Sequence, residues 1–343
     1  MSIKQRKKDH VELTTSGEVN YRTSTGFEDY QFVHNALPEV NVEDVSTQAT
    51  FLGRSFSFPL FISSMTGGYT DAGAVNGIIA EFCEQYNLPF GVGSQRIMLD
   101  DPEAISSFSI VRDKAPNAFI AANIGGAQLV GGLSRDDLDL LIDSIEADAV
   151  IVHLNPLQEL MQPEGDRKFK GIEEGIKKLC VDSPVPVIVK ETGAGISREV
   201  AEQLLQRGVR VIDVAGAGGT SWAKVENKRP SRENPDHNFD DWGLPTLACV
   251  LQVNDLKNNY DFELIASGGI RSSQDIAKAL CLGADFAAAA QPVIKAVVND
   301  GFEGLENLFS QWQKQLVTVL TLLGCEQITD LGSRHLKLSR SKG

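Results

Sequence analysis

From Pro59 onward the chain alternates between short runs that are apolar almost without a break and longer stretches whose apolar residues recur every three or four positions. The short runs are PLFISS (59–64), FGVGS (90–94), AFIAANIG (118–125), AVIVHLN (149–155), PVIVKETG (186–193), VIDVAGAGG (211–219), ELIASGG (263–269) and DFAAAA (285–290). Such a run predicts a strand covered on both faces, as in a parallel sheet wrapped by helices. The stretches between them predict the helices. One ends at Asn87, one starts from an N-cap at Ser134, and one runs from an N-cap at Ser197 to a stop at Gly208. A strand-to-strand spacing of mostly about 25 to 35 residues suits repeated βα units. Eight of them favour a closed (β/α)8 TIM barrel over an open doubly wound α/β sheet. The absence of GxGxxG after the first strand points the same way.

Three stretches stand outside the repeat, although the whole of 1–343 reads as one domain. Residues 1–58 form an N-terminal extension; its first fifty residues are polar and irregular and open with the basic run RKKDH at 6–10. By composition that run is a solvated tail. Residues 220–262 contain a long insertion after the sixth strand, WAKVENKRPSRENPDHNFDDWGLPT, rich in charge, Pro and Asn. It falls on the face where strands end, and reads either as a lid (222–243) or as a surface loop. Near the C-terminus, LENLFSQWQKQLVTVLTLLGCEQI predicts an amphipathic helix closing the barrel wall, with LTLLGCEQITDLG starting a second one.

The unit at 263–292 carries the first chemical hint. Gly268 and Gly269 would let the backbone approach a ligand, and a helix capped by Ser272 or Ser273 would aim free N–H groups at an anion. Loops after the last two strands of a β/α barrel are a common phosphate site. The alternative is a tight strand-to-helix turn with no ligand.

Composition narrows the partners. A chain of 343 residues, 42% hydrophobic, can bury one large core. A formal charge of −14 argues against a nucleic-acid surface and against an anionic membrane, while leaving room for a local basic pocket. The five cysteines have no CxxC or metal-ligand spacing, and three sit in helical apolar patterns, which suits buried thiols in a reducing compartment. No apolar run approaches membrane-spanning length and the N-terminus has no apolar leader, so a cytoplasmic protein is expected.

Read only at the strand ends, the chain offers amides (Asn123, Asn155, Gln95, Gln158), hydroxyls (Ser64, Thr66, Ser94, Thr220), glycines, Lys190, Arg96, Arg271, His153, Glu159 and Glu191. Nothing there resembles a metal cage of His and Cys or a Ser-His-Asp set. Amides and hydroxyls around a flat ring, with glycine turns and an arginine at the last strands, suit flavin mononucleotide. Asn123 and Thr66 would bond the ring edges, and Lys190 would favour an anionic reduced flavin. Lys190 has a plainer alternative, a salt bridge to Glu191 or Asp213.

SSMTGG (63–68), GSQR (93–96), HLNPLQE (153–159), VKETGAGIS (189–197), AGAGGTSWAKVENKR (215–229) and ASGGIR (266–271) occur in order, with RKKDH near the start. Together they resemble type 2 isopentenyl-diphosphate isomerase, the FMN-dependent family, across nearly the whole chain. HLNPLQE and the RKxxH pattern are the distinctive parts; GGIR and the barrel are shared with other FMN barrels. The resemblance implies interconversion of isopentenyl and dimethylallyl diphosphate with reduced FMN and Mg²⁺, NADPH or another reductant serving the flavin, and a homotetramer or larger homo-oligomer. It implies diphosphate and substrate contacts from Arg6, Lys7, His10, Ser94, Gln95, Arg96 and Gln158, with Glu159 on the metal. His153, Asn155 and Gln158 would line the reacting end, Gln158 orienting or relaying a proton. FMN would rest on Ser64, Met65, Thr66, Gly67, Ser94, Asn123, Lys190 and Thr220, its phosphate on Gly268, Gly269, Ile270, Arg271, Ala290 and Gln291.

Two other readings stay open. An FMN oxidoreductase of the hydroxyacid-oxidase or dehydrogenase kind needs a late-loop base, for which His237 is the candidate, His335 lying in the tail. A non-catalytic barrel that binds flavin or phosphate as a sensor would have no use for Glu159, Gln158 and the basic run together.

Overall fold

A computed structural model describes residues 3–16, 18–68, 70–230 and 232–339. Eight parallel strands close into a barrel: β1 (Leu60–Ile62), β2 (Phe90–Gly91), β3 (Ile120–Gly125), β4 (Ala149–Leu154), β5 (Val187–Glu191), β6 (Val211–Asp213), β7 (Glu263–Ala266) and β8 (Phe286–Ala289). Each falls within its predicted apolar run, and β8 pairs with β1 to shut the ring.

Alternation along the strands explains their continuous apolarity. Leu60, Ile62, Ile120, Val150, Val152 and Val189 face the surrounding helices, while Phe61, Phe119, Ile151, Ile188, Val211, Ile265 and Phe286 fill the barrel. Successive side chains of a strand point to opposite faces, so a sheet covered on both sides needs apolar residues at every position. The base is plugged by a hairpin, Ala49–Phe51 against Arg54–Phe56, which sends Phe51 and Phe56 into contact with Phe119 and Phe286. Burying each such ring contributes about 1.5–3 kcal/mol relative to leaving it in water. Two residues further along the same inward parity, β3 presents Asn123, β4 His153, β5 Lys190, β6 Asp213, and the end of β7 Ser267. The interior therefore changes from greasy at the base to polar at the mouth within one turn of the pleat.

Helix boundaries follow their sequence signals where a cap exists. Ser134 and Ser197 cap Arg135–Asp143 and Arg198–Gln206, each accepting from a backbone N–H in the first turn. Ser272 caps Ser273–Cys281 in a full capping box with Asp275. The last long helix, Gln291–Leu323, is interrupted at Gly301 and stopped by Gly324 in the left-handed region. The second helix expected beyond it is reduced to one turn, Ile328–Asp330.

The N-terminal basic run is not a solvated tail. Residues Ile3–Ser16 form a helix laid over the barrel mouth. Lys7 Nζ donates to the carbonyls of Gly67 (2.5 Å) and Ser94 (3.1 Å), and Gln291 Nε2 donates to that of Thr14 at 3.0 Å. This helix has no apolar stripe because the loops it covers are themselves polar; periodicity had nothing to report. The insertion after β6 also resolves. It begins as the buried helix Trp222–Lys228 and returns through a turn at His237–Phe239 to the barrel helix Thr246–Asn254. Lys224 and Lys228 tie it to Asn20 and Glu18 just past the N-terminal helix, and Trp222 and Glu226 meet His10 on that helix, so it serves as a wall beside it.

Candidate active site

Two cavities of about 160 Å³ each open at the mouth and share His10, Ser64, Met65, Lys190, Thr192 and Trp222 as a common boundary. They form one cleft with two chemically different ends.

The first end is made of backbone and small residues: Gly219, Thr220, Ser267, 268–271 and 288–292. Gly268 and Gly269 have φ of +95° and +82°, and a Cβ on Gly268 would lie 2.0 Å from the carbonyl oxygen of Gly216. These glycines are therefore required by the stacking of the β6 and β7 loops and by their left-handed backbone, more than by approach of a ligand. A second expectation also shifts. The N–H groups of Arg271 and Ser272 are already bonded to Asp275 Oδ2, both at 3.0 Å. The helix start without a side-chain cap is that of Gln291–Leu323, at Ala290. An anion at this end meets that N-terminus and Arg271, whose Nη1 donates to Gly218 O at 3.1 Å.

Between the ends, Ser64 Oγ is buried with no hydrogen-bond partner among the described residues. A buried orphan hydroxyl facing a cleft is what a ring-edge contact of a bound ligand would satisfy. Lys190 Nζ donates to Glu191 O at 2.6 Å. The alternative salt bridge to Glu191 is not formed: that carboxylate is turned away to the N–H groups of Thr192, Gly193, Ala194 and Gly195. Asp213 accepts from Ser267 Oγ at 2.5 Å instead. Burial raises the carboxyl pKa of both Glu191 and Asp213, against the pull of Lys190 and their hydrogen bonds.

The second end is charged and collects residues from distant segments: Arg6, Lys7, His10, Thr66, Ser94, Arg96, Asn123, His153, Asn155, Gln158 and Glu159. Most already hold partners inside the chain. Arg96 pairs with Asp166 at 2.9 Å and Arg6 approaches Glu164 at 4.0 Å. Burial, reinforced by neighbouring Arg6, lowers the Lys7 amine to about 7. His153 meets Asn123 Oδ1 through Nδ1 at 2.7 Å. Burial, with Lys190 and Lys7 nearby, lowers its pKa to about 3, so it is a neutral imidazole with Nε2 as an acceptor. Glu159 accepts from Asn155 Nδ2 at 3.0 Å and from the Asp166 N–H at 2.7 Å.

Two predicted site residues are not brought to the cleft. Gln95 is fully buried behind β3, where its Oε1 accepts from Asn123 N (2.9 Å) and its Nε2 donates to Leu141 O (3.0 Å). It joins the sheet to a helix and leaves no atom for a substrate. Gly67 lies outside both linings and acts through its carbonyl, as the acceptor for Lys7. His237 is also far from use: its exposed ring bonds only Asp240, outside both cavities.

The reading at the strand ends missed Trp222 and Glu226. Both sit in AGAGGTSWAKVENKR, four residues apart and so on one helix face, a spacing that could have flagged them. The His10 ring packs edge-on to Trp222 at 5.1 Å, and its Nε2 lies 2.9 Å from Glu226 Oε1. Gln158 Nε2 donates to the same oxygen at 3.2 Å. Burial would raise the Glu226 carboxyl, but hydrogen bonds from His10 and Arg229 outweigh it and hold the group below the usual range.

Residues 153–338 match the FMN-dependent dehydrogenase family. Over the full chain, the isopentenyl-diphosphate delta-isomerase of Chlorobium limicola is 46% identical, covering 97% of this chain and 96% of that one. The protein of the same name from Nostoc is 43% identical (95% and 93% covered), and that from Methanococcoides burtonii 42% (96% and 91%). Among solved structures, a flavocytochrome b2 variant superimposes with TM-score 0.71 at 19% identity, covering 98% of this chain and 85% of its own. The (S)-mandelate dehydrogenase of Pseudomonas putida gives 0.67 at 16%, covering 97% and 99%. At those identities the two structures speak for the barrel alone. The near-full-length relatives decide between the readings left open by the sequence, and the chain belongs to the FMN-dependent, type 2 isopentenyl-diphosphate delta-isomerase family.

Proposed function

We propose that the protein interconverts isopentenyl and dimethylallyl diphosphate, with FMN in the backbone-lined end of the cleft and the diphosphate in the charged end. The observation that carries this is the shared boundary. Ser64, Met65, Lys190 and Thr192 face both cavities, so a flat ring laid there presents one face to whatever the second end holds. The flavin phosphate would rest on Gly268, Gly269, Ile270, Arg271, Ala290 and Gln291, and the ring on Ser64, Met65, Thr66, Ser94, Asn123, Lys190 and Thr220.

Bound and reduced, the flavin would supply the proton-transfer site, since the residues placed at the reacting end are poor acids and bases. Asn155 and Gln158 are amides, and His153 stays neutral at physiological pH; none is a strong acid or base there. The protein's part is to bind, orient and exclude water. Arg6, Lys7, His10 and Arg96 take the diphosphate, Arg96 exchanging Asp166 for phosphate oxygens. Gln158, held between Asn155 and Glu226, sets the allylic carbons against the ring and can relay a proton to them. Glu159 would hold Mg²⁺ with its carboxylate, leaving other positions on the ion for diphosphate oxygens and water.

A reduced nicotinamide such as NADPH would keep the flavin reduced, and the protein would work in the cytoplasm as a homotetramer or larger assembly. Among the described residues no helix is long and apolar enough to cross a membrane. The test is product formation from isopentenyl diphosphate with FMN, reductant and Mg²⁺ all present, and its loss on omitting each. Absence of product from the flavin-loaded enzyme with all three present contradicts the proposal.

A further inference from the structure

Arg229 ends the helix that carries Trp222 and Glu226, and its side chain is only 1% exposed. Nη1 donates to Glu226 Oε2 and Nη2 to Glu164 Oε1, each at 2.7 Å. Glu226 is fully buried and lines neither cavity; with Oε2 taken from behind, its Oε1 accepts from His10 Nε2 and Gln158 Nε2, which do line the cleft. An ionised carboxylate can only accept. The Gln158 amide must therefore turn its nitrogen inward, its oxygen accepting from Asn155 Nδ2 at 3.1 Å, and His10 must carry its proton on Nε2.

We infer that Arg229 is a positioning residue for the isomerisation: it keeps Glu226 a fixed acceptor, and so sets which way Gln158 and His10 present themselves to the substrate. It lines neither cavity and reaches Gln158 and His10 through Glu226. Glu164 extends the same chain of charges to Arg6, joining that setting to the N-terminal helix. The inference rests on the second cavity being the reaction site. The charged groups facing Glu226 are His10 and, further off, Arg6 from the N-terminal helix. Arg229 faces it from its own helix, Glu164 lies across Arg229, and Glu159 stands on the adjoining helix Pro156–Met161. Without the guanidinium, Glu226 keeps His10 but loses the other partner that offsets its burial, so its carboxyl pKa rises and the protonated, donating form gains at higher pH.

The experiment compares Arg229→Met, Arg229→Lys, Glu164→Gln and Glu226→Gln in FMN-loaded enzyme, reading kcat, KM and the pH profile of kcat. Arg229→Met is expected to lower kcat by roughly tenfold or more and to move the acidic limb toward neutral pH, with KM changed less. Arg229→Lys, which retains the cation, restores most of both. Glu164→Gln removes one of the two carboxylates that share the guanidinium, strengthens its hold on Glu226 and moves the acidic limb the opposite way. A folded, flavin-loaded Arg229→Met with the wild-type kcat, or with a fall that is equal at every pH, overturns the inference. If that variant does not fold, an unmoved limb in Glu164→Gln overturns it instead. Wild-type kcat in Glu226→Gln also overturns the inference, because Arg229 acts through that carboxylate, whereas absence of product from the flavin-loaded wild-type enzyme would refute the placement of the reaction site.

Discussion

The two ends of the cleft are built on opposite plans. The flavin-phosphate end is mostly main chain: glycine turns after β6 and β7, an uncapped helix start at Ala290, and one arginine. The end proposed for the diphosphate is mostly side chain, delivered from the N-terminal helix, the loops after β1 and β2, the helix after β4 and the wall helix after β6. The first is fixed by folding itself, because the same backbone contacts that close the barrel shape the cradle. The second is held by ion pairs the chain makes with itself, Arg96 with Asp166 and Arg229 with Glu164 and Glu226, which ligand binding must rearrange or use. Damage to the first should cost stability and cofactor together. Damage to the second should cost kinetics and leave the fold.

The sharpest break is at the backbone end. Gly268→Val puts a Cβ 2.0 Å from Gly216 O at a φ of +95°. It should cost about 3 kcal/mol or more and abolish flavin retention, seen as a lower Tm and a colourless preparation. A yellow variant with the wild-type Tm would show that the loop stacking is not what builds the cradle.

At the other end, Glu159→Gln should lower metal-dependent kcat/KM by about 100-fold, or ~2.7 kcal/mol, with FMN content unchanged. Equal activity with and without Mg²⁺ would remove it from the metal. Lys7→Met should raise KM about tenfold with little change in kcat, because the amine, which also donates to the Gly67 and Ser94 carbonyls, is proposed to meet the diphosphate and not the reacting carbons. Its pH dependence has a definite sign. The folded amine titrates at about 7 against 10.5 unperturbed. Between those values the unfolded chain holds the extra proton, so the penalty on folding is full below pH 7 and disappears as pH rises toward 10.5. Diphosphate binding takes the same proton up, so KM should rise with pH above about 7, and should lose much of that slope in Lys7→Met. The smallest effect is expected at His237→Ala, within about twofold of wild type by the usual scale of surface changes. A large loss there would revive the oxidoreductase reading, which needs a late-loop base.

Legibility followed the same division. All eight strands, the Ser134, Ser197 and Ser272 caps and the glycine turns were readable, because burial on both faces and left-handed turns leave local marks in the sequence. The N-terminal helix was not, since IKQRKKDHVELTTS docks through Lys7 and His10 on polar loops and so shows no apolar stripe. Gln95 looked like a substrate amide beside Arg96, and only its tertiary partners, Asn123 and Leu141, show it facing the core. Glu226 stood in plain view in WAKVENK, but what makes it matter, two donors on one oxygen and Arg229 on the other, comes from residues separated by up to 216 positions.

The central claim is an isomerisation, without net redox change, on a barrel whose structural neighbours include dehydrogenases. The most direct test follows product and flavin absorbance together, anaerobically, in pre-reduced enzyme with Mg²⁺ and isopentenyl diphosphate. Many equivalents of dimethylallyl diphosphate per flavin, with the flavin still reduced at the end, is the predicted result. No product, or one equivalent of flavin oxidised for each product formed, would contradict it.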